Sequence, residues 1–446
     1  MMTDRGHLSW FEIVRLGAVQ AALGAIVVLT TSTLNRVMVV ELALPAMVPG
    51  ALVGLHYAVQ LSRPRWGHGS DQGGSRTPWI IAGMAVLALG GVMAAAATAL
   101  TASAVVPGFV LAMLAFVLIG GGVGAAGTSL LALMATDVAP TRRAPASSIT
   151  WIMMIMGFAV TAGLSGQFLD PFTLTRMVVV TATVCAVAFV LASVAIWGVE
   201  RRVGETRNVP QASSDTRFMD ALKDVWGEAK ARRFTVFVFV SMLAYSSQDL
   251  ILEPFSGVVF GYTVGQSTQL AGMQHGGVLI GMIAVAVLGA KFGGSTFGRR
   301  QTWVIGGCVA SSVALVMLAA ASLAGPGWPL APTVILLGVA NGGFAVAAIG
   351  AMMGLAGADG EGREGMRIGL WGAAQAVAFG LGGFLGAAAI DATRAVFADA
   401  APAFALVFAV EAVLFLVAAR LALGVDGTKV DEISAEPVPN LAGGTS

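Results

Sequence analysis

Charge is what this sequence has least of. Of its 446 residues only 11% are Asp, Glu, Lys or Arg, and 57% are hydrophobic. Soluble domains carry about 25% charged residues. The deficit excludes an ordinary soluble fold and leaves an integral membrane protein. Lys and Arg number 25 against 24 Asp and Glu, a net charge of +1, so no electrostatic case for a nucleic-acid partner arises. The two cysteines, Cys185 and Cys308, sit inside apolar runs, which excludes a disulfide framework and a zinc site. No metal site is expected. Histidine is limited to His7, His56, His68 and His275. There is no His-Asp-Ser set in a workable order, no phosphate-cradling glycine loop followed by Lys, and no CxxC. The expectation is therefore a chain that is not an enzyme and requires no cofactor. A signal peptide is also unexpected, because the first apolar run is too long and no A-x-A site follows it.

What is present in excess is glycine, 58 residues, nearly twice the usual ~7%. Glycine lets membrane helices approach closely. Twelve apolar runs reach the ~20 residues that cross a bilayer: about 16–34, 42–62, 79–100, 107–134, 147–169, 177–198, 234–252, 270–290, 302–324, 330–356, 368–390 and 402–423. With the N-terminus inside, only Arg36, Arg176 and Arg394 lie outside, and the other 22 of the 25 Lys and Arg lie inside. That is the positive-inside bias. Both termini are expected in the cytoplasm.

The longest polar segment divides the helices six and six. The expected organisation is a bundle over 1–198, a cytoplasmic linker over 199–233, a second bundle over 234–424, and a disordered tail over 425–446. Within the linker Phe218, Leu222, Val225 and Trp226 share one helical face, which suits a helix lying on the membrane surface; a solvated linker helix fits equally. The halves echo one another. Trp79-Ile80-Ile81 matches Trp303-Val304-Ile305, and Arg143 and Trp151 match Arg363 and Trp371. Both fifth-type helices end in an Asp followed by an Arg: Asp170 with Arg176, and Asp391 with Arg394. Repeats of this kind belong to secondary transporters with a cavity between halves near the midplane.

In the loop after the second run, Gly67, Asp71, Gly74 and Arg76 have the spacing G-x-x-x-D-x-x-G-x-R, which resembles the loop between helices 2 and 3 of major facilitator transporters. The fold expected is thus all-α, twelve transmembrane helices, a major facilitator fold of two six-helix repeats. Asp71 could pair with Arg76, Arg142 or Arg143 in a cytoplasmic gate between halves; a tight turn that only sets topology is the alternative. The second copy has Ser295 in place of the Asp.

Ionisable groups in membrane segments are functional candidates by default. Asn35, Arg36 and Glu41 close the first run, and Gln248, Asp249 and Glu253 close the seventh. Both clusters are expected near the outer interface, where anchoring or an Arg36–Glu41 ion pair would also explain them. Glu411 falls mid-run and is a candidate proton site. His56 and His275 are candidate ligands for the magnesium of a chlorin ring, with Gly276 and Gly277 leaving room for a flat macrocycle. Bonding to a neighbouring helix is the plainer reading of both.

The string Thr33-Leu34-Asn35-Arg36-Val37-Met38-Val39-Val40-Glu41-Leu42, with Gly67-His68-Gly69-Ser70-Asp71, Arg76-Thr77-Pro78-Trp79-Ile80, Gln248-Asp249 and Leu252-Glu253-Pro254-Phe255, resembles the PucC/LhaA family over about residues 10–423. These are light-harvesting assembly proteins of phototrophic bacteria. The resemblance implies a carrier of bacteriochlorophyll, or of a precursor, as cargo. It also implies antenna polypeptides, membrane lipid and bacteriochlorophyll synthase as partners, and a place in the photosynthetic inner membrane. It carries over Asn35, Arg36, Glu41, His68, Asp71, Gln248, Asp249 and Glu253, and no pigment ligand. Two other readings stay open: a proton-coupled exporter of a small amphiphile, and a non-transporting scaffold for antenna subunits.

Overall fold

A computed structural model describes residues 7–63, 75–200, 226–291, 300–357, 364–397 and 399–423. Twelve long helices run in order: α1 Trp10–Glu41, α2 Met47–Gln60, α3 Thr77–Thr101, α4 Val105–Asp137, α5 Arg143–Leu169, α6 Leu174–Ile196, α7 Ala229–Phe260, α8 Val264–Lys291, α9 Arg300–Ala324, α10 Leu330–Gly357, α11 Glu364–Val396 and α12 Ala400–Leu423. Among the described residues, eleven are long and apolar enough to cross a membrane. The exception, α2, has 14 residues, about 21 Å of helix, and packs between α4 and α11. The chain is a multi-pass membrane protein.

Each half has its own core. Leu16, Leu87, Ile119 and Met177 belong to the first. Phe255, Phe344, Phe404, Phe408 and Phe415 belong to the second. Aromatic rings in the second core meet edge to face, as Phe255 does with Phe408 at 4.9 Å, an arrangement their quadrupoles favour. Two seams join the halves. One packs α5 on α8 and the other α2 on α11.

Several helices run past the ends the apolar pattern suggests. The first expected run stops at 34, whereas α1 continues to Glu41 through two π-helical turns, Leu29–Thr33 and Val37–Glu41. The seventh stops at 252, whereas α7 continues to Phe260 with Pro254 inside it. Polar residues that read as loop are retained in helix because they bond across to neighbouring helices. The 201–225 part of the linker, the tail, and Gly67, His68, Asp71, Gly74, Ser295 and Arg363 lie outside the described residues.

Candidate functional site

Pro254 organises the middle of the molecule. Proline has no N–H, so a proline inside a helix strips the carbonyl four residues earlier of its partner. Here that carbonyl is Leu250, and Asn35 of α1 donates its side-chain amide to it at 2.5 Å. One turn along, the hydroxyl of Ser32 donates to the Glu253 carboxylate. Thr268 of α8 reaches the same carboxylate at 3.4 Å and meets Thr33 at 3.2 Å. Arg36 pairs with Glu41 at 2.5 Å and donates to the Tyr262 carbonyl at 2.7 Å. The guanidinium passes over Gly257, where a Cβ would stand 3.0 Å from it. The π turns of α1 are the local device that aims these side chains, as π turns commonly do at functional sites.

The structure brings the two clusters together. Arg36, Asn35, Gln248 and Glu253 are all at least 97% buried, and α1 and α7 present one polar junction between the halves. The Arg36–Glu41 pair forms, with Arg36 buried in that junction and Glu41 at its exposed edge. The Gln248 side-chain amide has no hydrogen-bond partner among the described residues.

Beside the junction lies a small cleft of about 20 Å³, room for little more than one water. Thr31, Ser32, Val53 and Tyr57 line it from the first half, and Ser246, Asp249, Leu250, Phe379 and Gly383 from the second. Asp249 is half-buried and lies within electrostatic reach of His275, Tyr57, Tyr245 and Glu253. Helix α7 turns Asp249 into this cleft between the halves.

Neither candidate imidazole is among the residues lining that cleft. His56 is buried, with Nε2 2.7 Å from the Gln60 amide and its ring edge-on to Tyr57 at 4.8 Å. His275 is buried against Phe158, ring centroids 5.0 Å apart, and its Nδ1 is unbonded among the described residues. Gly276 faces open space, but a Cβ on Gly277 would stand 2.5 Å from the Ile335 carbonyl. Gly277 is therefore used for packing α8 on α10. Glu411 is buried on α12, and neither carboxylate oxygen has a partner among the described residues. Ser322 bonds Ala401 and Gln301 bonds Ala422; this antiparallel register sets Glu411 level with Ser312 of α9.

At the end of the bundle away from the described termini, each half clasps the other. Asp170, at the end of α5, accepts from the Thr263 hydroxyl at 2.6 Å and from the Gly265 N–H at 3.2 Å, at the start of α8. Asp391 of α11 accepts from the Ala46 and Met47 N–H groups at 2.9 and 2.7 Å, at the start of α2. A carboxylate satisfies the orphan donors of a helix N-terminus and is favoured by its dipole. The paired Asp endings visible in the sequence thus do the same work in both seams.

At the other end, the contacts described for the candidate gate lie within the first half. Arg76 donates to the Ala132 carbonyl and the Thr136 hydroxyl at 2.6 and 2.7 Å. Arg142 lies over the Trp10 ring and reaches the Leu8 carbonyl. Arg143 donates to the Val138 carbonyl at 3.3 Å. A residue the sequence reading missed, Glu200, accepts from the N–H groups of Arg76 and Thr77 and the hydroxyls of Ser75 and Thr77. Burial works to raise the Glu200 pKa, but these hydrogen bonds outweigh it and bring the value down to about 2. Gly198, at φ 72°, turns the chain there; glycine takes that left-handed conformation without cost. The available signal was the cap itself: Ser75-Arg76 leads into α3 at Thr77, with no acid in its first turn to hold its first N–H groups.

Comparison with known proteins places these features. The family described as "PUCC protein" matches residues 33–430. A protein of Rhodobacter capsulatus named "Bacteriochlorophyll synthase 44.5 kDa chain" is 52% identical, over 98% of this chain and 99% of its own. The "Protein PucC" of Cereibacter sphaeroides is 31% identical, over 83% and 81%. Among solved structures, the nucleoside transporter NupG aligns with TM-score 0.68 at 13% identity, over 93% of this chain and 99% of its own. A POT family transporter in complex with 5-aminolevulinic acid aligns with TM-score 0.68 at 10% identity, over 93% and 96%. The fold is the twelve-helix major facilitator fold. One expectation is overturned: a chain without any enzyme constellation was read as no enzyme, yet the 52% relative carries the name of a synthase chain.

Proposed function

The chain belongs to the PUCC protein family, and from that premise we propose that it serves the assembly of light-harvesting antenna complexes in step with bacteriochlorophyll synthesis. It holds bacteriochlorophyll or a precursor and presents it to antenna polypeptides in the photosynthetic membrane, with both termini in the cytoplasm. The observation that carries this reading is the match along almost the whole chain to a relative named for bacteriochlorophyll synthesis, within a family that spans residues 33–430. The geometry suits a carrier whose two bundles move against each other. The Asp170 and Asp391 clasps hold one end, and the α1/α7 junction holds the centre. Of the two imidazoles, His275 is the better magnesium ligand. Gln60 already engages His56, whereas open space adjoins Gly276 next to His275.

The test is an absorption spectrum of the protein purified in mild detergent from a pigment-producing cell, with the pigment extracted and quantified. Near-stoichiometric bacteriochlorophyll or precursor, reduced in His275→Ala, is expected. Antenna polypeptides should co-purify, and deleting the gene should lower antenna content. An assay of bacteriochlorophyll synthesis with and without the chain addresses the role in the relative's name. A colourless protein that still holds antenna polypeptides would make it a scaffold. Absence of both pigment and antenna partners would refute the reading and return that of a small-amphiphile exporter.

A further inference from the structure

Two carboxylates stand one turn apart on α7, Asp249 and Glu253. At i and i+4 they share a face of the helix, and Glu253 feels the Asp249 charge. Their surroundings differ. Glu253 is 1% exposed and accepts from the hydroxyls of Ser32 on α1 and Thr268 on α8. Asp249 is half-buried and opens onto the cleft. Among the described residues no group hydrogen-bonds its carboxylate. Ser32 belongs to both environments: it lines the cleft beside Asp249 and donates its hydroxyl to Glu253. The cleft, about 20 Å³, has the size of one water, and Thr31, Ser32, Ser246 and Asp249 give its wall polar atoms. A buried water requires such partners.

The groups that face the pair leave it without a cation of its own. On α1, Arg36 is within electrostatic reach of Glu253 but is paired with Glu41 and bonded to the Tyr262 carbonyl. On α8, His275 is within reach of Asp249 and packs on Phe158; it supplies a charge only by taking up a proton itself. On α2, Tyr57 lines the cleft, and Arg63 bonds Gln60. Tyr245 lies on α7 itself and feels the Asp249 charge. The α11 wall is Phe379 and Gly383, α10 carries no titratable residue from Leu330 to Gly357, and Glu411 of α12 acts on neither carboxylate. Two like charges one turn apart inside a membrane bundle are costly, and carboxylates so placed share protons. We infer that Asp249 and Glu253 form a proton-binding site between the two halves, sharing one proton through the Ser32 hydroxyl and a water in the cleft. In passage from Asp249 to Glu253, the Asp249 acid gives its proton to the water, the water gives one to the Ser32 oxygen, and the Ser32 hydroxyl gives its own to Glu253. Water and serine end with as many protons as they began with, and no other reactant is needed. The transfer reverses the bond between α1 and α7: Ser32 donates to a Glu253 carboxylate, and a protonated Glu253 donates to Ser32. The site does not depend on what the protein carries.

The test is infrared spectroscopy of the full chain in phosphatidylglycerol nanodiscs at neutral pH, read at the carbonyl stretch of a protonated carboxylic acid and repeated in deuterium oxide. Spectra are taken as wild type minus variant, so that Glu411 and the remaining acids cancel. A band of equal size is expected against Asp249→Asn and against Glu253→Gln, because removing either charge lets the other carboxyl ionise. Asp249→Glu and Glu253→Asp keep both carboxyls. They should keep the band at a shifted frequency, and they carry the assignment if an amide variant does not fold. Ser32→Ala should keep the band and slow its exchange with deuterium by roughly tenfold or more. A band lost in only one of the two amide variants would mark an acid that shares nothing with its neighbour. That result, no band against either variant, a band that neither carboxyl-retaining variant shifts, or deuterium exchange unchanged in Ser32→Ala would overturn the inference.

Discussion

The two seams between the halves are built on one plan and packed differently. Each is closed at one end by a carboxylate from the fifth-type helix, Asp170 on α8 and Asp391 on α2. Along α5/α8, backbone meets backbone: a Cβ on Gly272 would stand 2.7 Å from the Gly163 nitrogen, and one on Gly166 2.6 Å from the Gly265 carbonyl. Along α2/α11 the approach is looser. A Cβ on Gly54 would find the Gly380 carbonyl at 3.4 Å, and one on Gly50 meets chiefly the Ala387 methyl. The small cleft takes its wall from α1, α2, α7 and α11 and none of it from α5 or α8. The difference predicts unequal work for the seams: α5/α8 as a fixed spine, and α2/α11 as the side with room to give.

The sharpest way to break this contrast is to thicken both seams. Gly272→Leu forces a side chain into the Gly163 backbone, which cannot yield as a flexible side chain would, and overpacking of this kind costs ~1–3 kcal/mol or more. Loss of most monodisperse protein on size-exclusion chromatography is expected. Gly54→Ala, at 3.4 Å, should leave yield and melting temperature near wild type. Equal damage from the two would erase the distinction between spine and moving side.

The clasps come next. Asp391→Asn removes a charge from the start of α2, where two N–H groups depend on it, and should cost ~1–2 kcal/mol. Asp170→Asn should cost less structurally, because the tight α5/α8 backbone still holds that seam. The readout is labelling of single cysteines placed at residue 46 and residue 263: Asp391→Asn raises access at 46 clearly, Asp170→Asn raises access at 263 only slightly.

Much of this was legible in the sequence. The apolar runs counted twelve helices because each element must bury its own backbone in lipid. The Asp-Arg endings at 170 and 391 marked the repeat, and Arg36 with Glu41 suggested a pair. What periodicity does not contain is which helix neighbours which. The bonds from Ser32 to Glu253 and from Asn35 to Leu250 join residues more than 200 apart, and no local pattern announces them. For the same reason the helix ends were drawn short: Asn35 and Glu253 read as loop polarity until their partners across the junction are known. Glu200 was invisible because its role is to cap a helix 124 residues earlier.

The α1/α7 junction offers a cleaner effect, at the centre of the molecule. Asn35→Ala should cost ~1–3 kcal/mol, since it leaves the Leu250 carbonyl buried and unpaired. Pro254→Ala restores the helical N–H that this carbonyl lacks. In the Pro254→Ala background, Asn35→Ala should therefore cost markedly less. A double-mutant cycle on melting free energies measures the difference; additivity would mean that Asn35 does not serve the proline gap.

The smallest effect separates bonds within a half from bonds between halves. Glu200 ties the end of α6 to the start of α3, both in the first half. Its pKa is brought from an ordinary 4.5 to about 2. A carboxylate depressed on folding contributes stability that is complete above its unfolded value, and that stability drains away as pH falls through the folded one. Between about pH 4.5 and pH 2 the wild type should lose an increment of melting temperature that Glu200→Gln lacks, and at pH 7 the variant should melt lower than wild type. Because the bond crosses neither seam, cysteine access at residues 46 and 263 should be the same in wild type and Glu200→Gln at neutral pH. A rise in either would place Glu200 in the coupling between halves, and the contrast between spine and moving side would then have to include α3.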